Sequence, residues 1–205
     1  MRPYVGSEFG RLESVVVHTP GREIESVAPA RASEALYNDI LPMEVVRREH
    51  EKLRSFLSLV ARVHEFRDLL IAAARTAEGH RALASLVSAE SKNPRASARL
   101  SQLNPESLVT VAVEGASSEP DTLQAYLSGD LFALDPIPNL YFMRDVAMVV
   151  GRTVVPGCMA HRIRYRESRL AEIAFRFAEP ISGSPIVRLD QGGHRLEGGD
   201  VLVID

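Results

Sequence analysis

Three acidic positions sit beside short apolar runs in this chain, and their surroundings suit one kind of ligand. The first is Asp145, which closes the run PNLYFMRD (138–145) next to Arg144, with Asn139 and Phe142 earlier in the same run. Two readings fit it. It is a strand end meeting water, or a carboxylate at a strand end, where α/β folds place their chemistry. An ionised Asp accepts two hydrogen bonds in the plane of a guanidinium or amidinium. Glu197 and Asp200 are the other two, set around Gly198 and Gly199 in LEGGDVLVI (196–204). The glycine pair reads as a tight turn, or as backbone that lets a ligand approach closely. Three acids near apolar strands suit a cationic substrate.

HRIRYRES (161–168) supplies the opposite charge through Arg162, Arg164 and Arg166. They form a solvated helix face, or one of them clamps a carboxylate with its planar fork. Acids for a guanidinium and an Arg for a carboxylate together describe an arginine-like substrate. The lone cysteine, Cys158, has His161 three residues on but reads as a small buried hydrophobe rather than a nucleophile. The remaining histidines are scattered and make no Cys/His cluster, so no metal site is expected.

The elements that must position these residues read as α/β. LESVVVHTPG holds a β-branched run, Val15 to Val17, stopped by Pro20 and Gly21. Val45, Val46, Glu49, Leu53, Phe56, Leu57 and Val60 fall at helical spacing, and VHEFRDLL reads as a second strand. Across 69–132 the character changes to short Ala/Leu-rich segments punctuated by Pro and Gly, with Pro105 and Pro120 suited to helix starts. From Asp135 the strands return: PNLYFMRD, VAMVVG and RTVVPG, then PIVRLD, HRLEGGD and VLVID. Between them an amphipathic helix runs through 161–180. Its Ile163, Leu170, Ile173, Ala174 and Phe177 make one stripe, and its Arg and Glu residues are expected to face away. The division is 1–68, a first α/β repeat; 69–132, a helical insertion; and 133–205, a second repeat and the start of a third. A layer that stops just after a strand, with no covering helix, reads as cut short.

Composition excludes several classes. The 205 residues are 45% hydrophobic and 25% charged, ordinary for a globular chain with a real core. A net charge of −3 and a pI near 6.1 give no basic surface for nucleic acid. No apolar run approaches the roughly 20 residues of a membrane span, and MRPYVGSEFGRLE lacks the apolar stretch of a signal peptide. One cysteine suits a reducing cytoplasm.

FALDPIPNLYFMRD followed by LEGGDVLVI resembles bacterial arginine deiminase, within the guanidine-modifying superfamily, and SEFGRLESVVVHTPGREIESVAP is similar to that family's opening strand and loop. The resemblance extends through the chain, more weakly across the helical stretch. It implies a partial pseudo-fivefold α/β propeller, pentein-like, with an inserted bundle of short helices. It also implies hydrolysis of L-arginine to L-citrulline and ammonia through a Cys-linked amidino intermediate, without metal or organic cofactor.

Carried over residue by residue, the resemblance makes Asp145 a carboxylate that grips the guanidinium. Glu197 orients the guanidinium and the catalytic His. Asn139 and Phe142 line the pocket, Arg164 binds the substrate α-carboxylate, and Asp200 lies near the site. The family's catalytic His follows the EGGD strand and its nucleophilic Cys lies near the end of a much longer chain. Neither has a match in this sequence. The expectation is therefore the substrate-gripping portion of such an enzyme, inactive alone, with a missing C-terminal half or self-association covering its exposed edges. Two alternatives stand beside it: a non-catalytic relative that binds arginine or a protein partner, and an amidinotransferase or other guanidine-modifying enzyme.

Overall fold

A computed structural model describes residues 2–26, 36, 42–92, 102–118, 132–190 and 193–204. The β-branched run forms β1 (Ser14–Val17), which pairs in parallel with β2 (Arg62–Glu65), Val15 opposite Val63 and Val17 opposite Glu65. Parallel neighbours need a crossover, and the one-turn α1 (Arg22–Glu25) and the long α2 (Met43–Ser58) lie on it. The strand expected over VHEFRDLL stops at Glu65. Phe66 opens α3 (Phe66–Ala74), because Phe66, Leu69, Leu70, Ala73 and Ala74 fall on one helical face and all are buried.

Two more helices complete this layer. In α4 (Ala77–Glu90), Thr76 caps the start by accepting the Gly79 N–H at 3.0 Å. In α5 (Pro105–Glu114), Asn104 accepts the Ser107 N–H at 2.8 Å, and Pro105 occupies the first turn, as its sequence position leads one to expect. Gly115 ends α5 at φ 79°, where a Cβ would lie 2.4 Å from the Leu134 carbonyl oxygen. That close approach lets β3 (Ala116–Ser117) turn back against β4 (Phe132–Leu134). The helix expected over 120–129 lies outside the described residues, as does most of the one expected over 93–103.

The last described third is built on a hairpin. β5 (Ala147–Val150) and β6 (Thr153–Pro156) pair antiparallel around Gly151, whose φ is 56°. A short helical turn, α6 (Met143–Val146), precedes them, and α7 (Tyr165–Phe177) follows behind a 3-10 turn, Arg162–Arg164. α7 packs on α3 and α4, so Leu170 and Ala174 join Leu70, Leu83 and Leu108 in one aliphatic core. Among the described residues the sheets are three separate two-stranded pairs, none closed, and the architecture is mixed α/β. No helix among the described residues is long and apolar enough to cross a membrane.

Three expectations are corrected here. PNLYFMRD is not a strand. Its residues 138–141 form a turn, the Phe142 N–H donates to the Asn139 carbonyl at 3.0 Å, and Met143 begins α6. The buried run looks strand-like only because this turn is packed inside, with Ile137 and Leu140 fully covered. Second, the charged residues of α7 do not all face water. Arg166, Glu167 and Glu172 are buried with the apolar stripe, each with an ion-pair partner: Glu90 for Arg166, Arg164 for Glu167 and Arg176 for Glu172. Third, residues 201–204 of VLVID belong to no strand. The Val203 carbonyl instead accepts the Glu8 N–H at 2.8 Å, and Leu202 and Ile204 are exposed.

At the ends of β1 and β2, His18 is buried with its Nε2 3.1 Å from Glu23 Oε1, while Thr19 donates from both its N–H and its Oγ1 to Glu65. Burial works against ionisation of Glu65, yet the His18 and Thr19 hydrogen bonds outweigh it and hold its pKa at about 2. This knot fastens the parallel pair at its mouth. On the other side α2 buries none of its residues, leaving Leu53 and Phe56 exposed.

Replacing the fully buried Leu108 by Ala is expected to lower stability by about 2–5 kcal/mol. Thr76→Ala removes one cap for about 1 kcal/mol. Urea unfolding of both variants checks the ranking, which fails if the cap is the costlier loss.

Candidate active site

The three acids singled out in the sequence lie on two separate pieces of chain, and specific contacts bring those pieces together. Asp145 lies in α6. Directly after β6, the Gly157 N–H donates to the Val146 carbonyl at 2.9 Å, and a Cβ on Gly157 would lie 2.5 Å from the Asp145 carbonyl oxygen. Cys158 then exchanges two backbone hydrogen bonds with Leu196, at 2.7 and 3.0 Å, which lays the LEGGD segment alongside. Gly198 and Gly199 form a 3-10 turn, Gly198–Asp200, with Glu197 as its cap.

Arg144 fastens this turn. Its Nε donates to the Gly198 carbonyl at 2.8 Å, and its Nη2 reaches the Val201 carbonyl and the Glu8 carboxylate. The approach is so close that a Cβ on Gly198 would lie 1.8 Å from the Arg144 carbonyl oxygen. Gly198 is thus required by contact with backbone, whereas a Cβ on Gly199 would meet nothing nearer than Asp145 Oδ1 at 3.8 Å.

The acids converge on Arg164. Its Nη1 lies 3.0 Å from Asp145 Oδ2 and 3.5 Å from Glu197 Oε2, and its Nε donates to Glu167 Oε2 at 2.9 Å. The Phe142 ring centroid is 5.8 Å from the guanidinium carbon, within cation–π range. Asp145 and Glu197 keep side-chain exposures of 23% and 24%, so they open to water, while Glu167 is sealed at 0%. Asp145 and Glu197 beside one resident cation leave the open side of the site with excess negative charge, which suits a further planar cation.

Protonation follows from this crowding. Burial works against the charge of Arg164, but Glu167 and Asp145 outweigh it and hold the guanidinium above its ordinary pKa. Burial pushes Glu167 up to about 8, against the pull of Arg164 and with added repulsion from Asp145 and Glu197. Its Oε1 is buried without a hydrogen-bond partner.

The structure thus gathers Asp145, Glu197, Arg164 and Phe142 around one centre. Asp200 stands one step back: its Oδ2 accepts the Glu197 N–H at 2.9 Å, so it shapes the turn that aims Glu197. Glu197 is also aimed by the Ala160 N–H, 2.8 Å from its Oε1. Asn139 is buried and takes part in the 138–141 turn. Cys158 is buried, and its thiol donates to the His194 carbonyl at 2.7 Å. Among the described residues no group of three or more His, Cys, Asp or Glu is arranged to hold a metal ion. Sequence reasoning missed Glu167, though its position three residues after Arg164 on a helix start is the spacing of an ion pair. It also missed the fastening role of Arg144, which no local pattern announces.

Known proteins are similar to this chain along most of its length. The family described as arginine deiminase matches residues 33–205. An arginine deiminase of Metamycoplasma arthritidis is 31% identical over 98% of this chain and 51% of its own length. That of Borreliella afzelii is 29% identical over 97% and 52%, and that of Listeria monocytogenes 28% over 98% and 52%. The chain spans about half the length of these relatives.

Two outcomes test the geometry. Gly198→Ala is expected to destabilise by about 3 kcal/mol or more, as overpacking against fixed backbone. Gly199→Ala should stay within about 0.5 kcal/mol. Equal denaturation midpoints for the two would refute the close approach. Glu167 supplies a pH test. Its folded pKa is raised, so its stabilising contribution is complete below about 4.5 and is lost as pH rises through about 8. His18, also raised, acts in the same direction, so the comparison must be with Glu167→Gln. That variant should show a flatter fall in stability between about pH 5 and 8, by an amount on the order of a few kcal/mol. Parallel urea profiles would mean Glu167 titrates as an ordinary carboxylate.

Proposed function

Because the chain belongs to the arginine deiminase family, we propose that the acids around Arg164 are the guanidinium-holding part of a site that hydrolyses L-arginine to L-citrulline and ammonia. The observation that carries this reading is that a guanidinium, that of Arg164, already sits between Asp145 and Glu197. In this reading Asp145 and Glu197 hold the substrate guanidinium flat. Phe142 and Asn139 line the approach, Arg164 takes the α-carboxylate, and Asp200 keeps Glu197 in position. Holding the planar cation for attack supplies much of the rate in such a reaction.

The chemistry proposed is covalent. A thiolate attacks the guanidinium carbon, ammonia leaves with a proton delivered by a general acid, and water then cleaves the amidino-thioether to give citrulline and free thiol. Cys158 is not that thiolate in this reading, because it is buried and its thiol is bound to the His194 carbonyl. The 205-residue chain by itself is accordingly a binder of arginine without turnover. The propeller belongs to the same proposal, with 1–68 as a first repeat, 69–132 as a helical insertion, and 133–205 as a second repeat leading into a third. So do a cytoplasmic setting and a partner surface, either further repeats or a second copy, over the exposed apolar residues of α2.

Calorimetry and a citrulline assay test the reading together. Arginine should bind the isolated chain, and Asp145→Asn or Glu197→Gln should weaken it about tenfold or more. No citrulline should form. Turnover abolished by Cys158→Ala would overturn the assignment of that thiol. Arginine binding unaffected by either acid would overturn the site.

A further inference from the structure

The carboxylates that would hold a ligand's guanidinium already hold one. Arg164 leaves the 3-10 turn Arg162–Arg164 and points inward, only 6% exposed. Its grip is incomplete. Nη1 alone serves both Asp145 and Glu197, at 3.0 and 3.5 Å, and Nη2 is buried with no hydrogen-bond partner. The side-on contact with Glu167 likewise leaves Glu167 Oε1 unpartnered. A guanidinium entering from the open side of Asp145 and Glu197 could present two parallel N–H groups to a carboxylate, a stronger arrangement than one shared nitrogen.

Displacing Arg164 has a consequence for the ligand. Its charge would remain largely buried with two of its three carboxylates withdrawn, and breaking a buried pair from one side is strongly unfavourable. A ligand carrying only a cation would leave that debt unmet. One that also carries a carboxylate would give the displaced guanidinium a new planar partner.

We propose that Arg164 is a resident guanidinium that closes the clamp in the empty chain, and that it yields to ligands bearing both a guanidinium and a carboxylate. Such ligands exchange ion pairs with it: the ligand's guanidinium takes Asp145 and Glu197, and Arg164 takes the ligand's carboxylate. Simple guanidines are excluded by the same contact that holds the empty site together. This rests on the reading of Asp145 and Glu197 as a guanidinium clamp. It adds that discrimination arises from competition with an internal mimic.

The test uses the 205-residue chain as wild type, Arg164→Ala, and Arg164→Ala combined with Asp145→Asn. Guanidinium chloride at millimolar concentration, far below denaturing levels, should raise the melting temperature of Arg164→Ala by several degrees. It should leave the wild type and the double variant unmoved. Calorimetry should show wild type binding arginine at least tenfold more tightly than agmatine, which is arginine without its carboxylate. In Arg164→Ala that ratio should collapse toward one. If wild type binds arginine but Arg164→Ala takes guanidinium and agmatine no better than wild type does, the resident-guanidinium proposal is overturned and the clamp stands. If no form binds arginine or guanidinium, clamp and proposal fall together. Should Arg164→Ala not fold, the native chain still decides. The Arg164 Nε–H resonance should shift on adding arginine and stay fixed on adding agmatine, and equal shifts with both ligands would refute the exchange.

Discussion

Everything around the site hangs from one turn of chain, Arg164 to Glu167, whose two arginines are buried in different surroundings. Arg164 goes to the acids of the site. Arg166 goes into the helical layer, where its Nε meets Glu90 at 2.8 Å and its other nitrogens take the carbonyls of Ala112 and Asp135. Burying a guanidinium is costly unless it is paired and hydrogen-bonded, and Arg166 has a partner on each of its three nitrogens. Arg166 therefore fixes the start of α7 against α4 and α5, and Arg164 transmits that fixed point to Asp145 and Glu197. The helical layer thus stands beneath the site as its support.

The charge arithmetic explains why such support is needed. Asp145, Glu167 and Glu197 would repel one another if Arg164 were absent, and the repulsion weighs most on Glu167, the one of the three sealed from water. Glu167 absorbs part of this tension by resisting ionisation. What remains is a pair of half-open carboxylates held at a spacing set by Arg144, Gly157 and Gly198 rather than by each other.

How much of this could be read from the sequence depended on whether the cause was local. β1, the β5–β6 hairpin, the start of α5 at Pro105 and the amphipathic α7 follow from residue pattern and caps. The two glycines at 198 and 199 were legible as a turn, and the acids on either side as a candidate site. The turn at 138–141 was not legible, because a turn packed inside shows the same apolar run as a strand. Nor was the burial of Arg164, Arg166 and Glu172, since the helical pattern tells which side is apolar and cannot tell which charges find partners across space. Glu172 makes the point: it collects Arg169, Arg176 and Arg188, from two different pieces of chain. The separate fates of Gly198 and Gly199 also needed coordinates, for the two are identical letters in one motif.

The Glu8 contact places the site in time as well as in space. The turn carrying Glu197 is tied to residue 8 through Val203 and Arg144, across separations of 195 and 136 residues. The bonds that build α3, α4 and α5 span a few residues each. Closing a long loop adds little to the equilibrium, about 0.6 kcal/mol for each doubling of length. Its weight falls on the rate, since distant partners meet late in a folding reaction. The helical layer can therefore be standing before the acids are brought together, and a chain caught halfway would look well folded by its helix content while having nothing with which to grip a ligand.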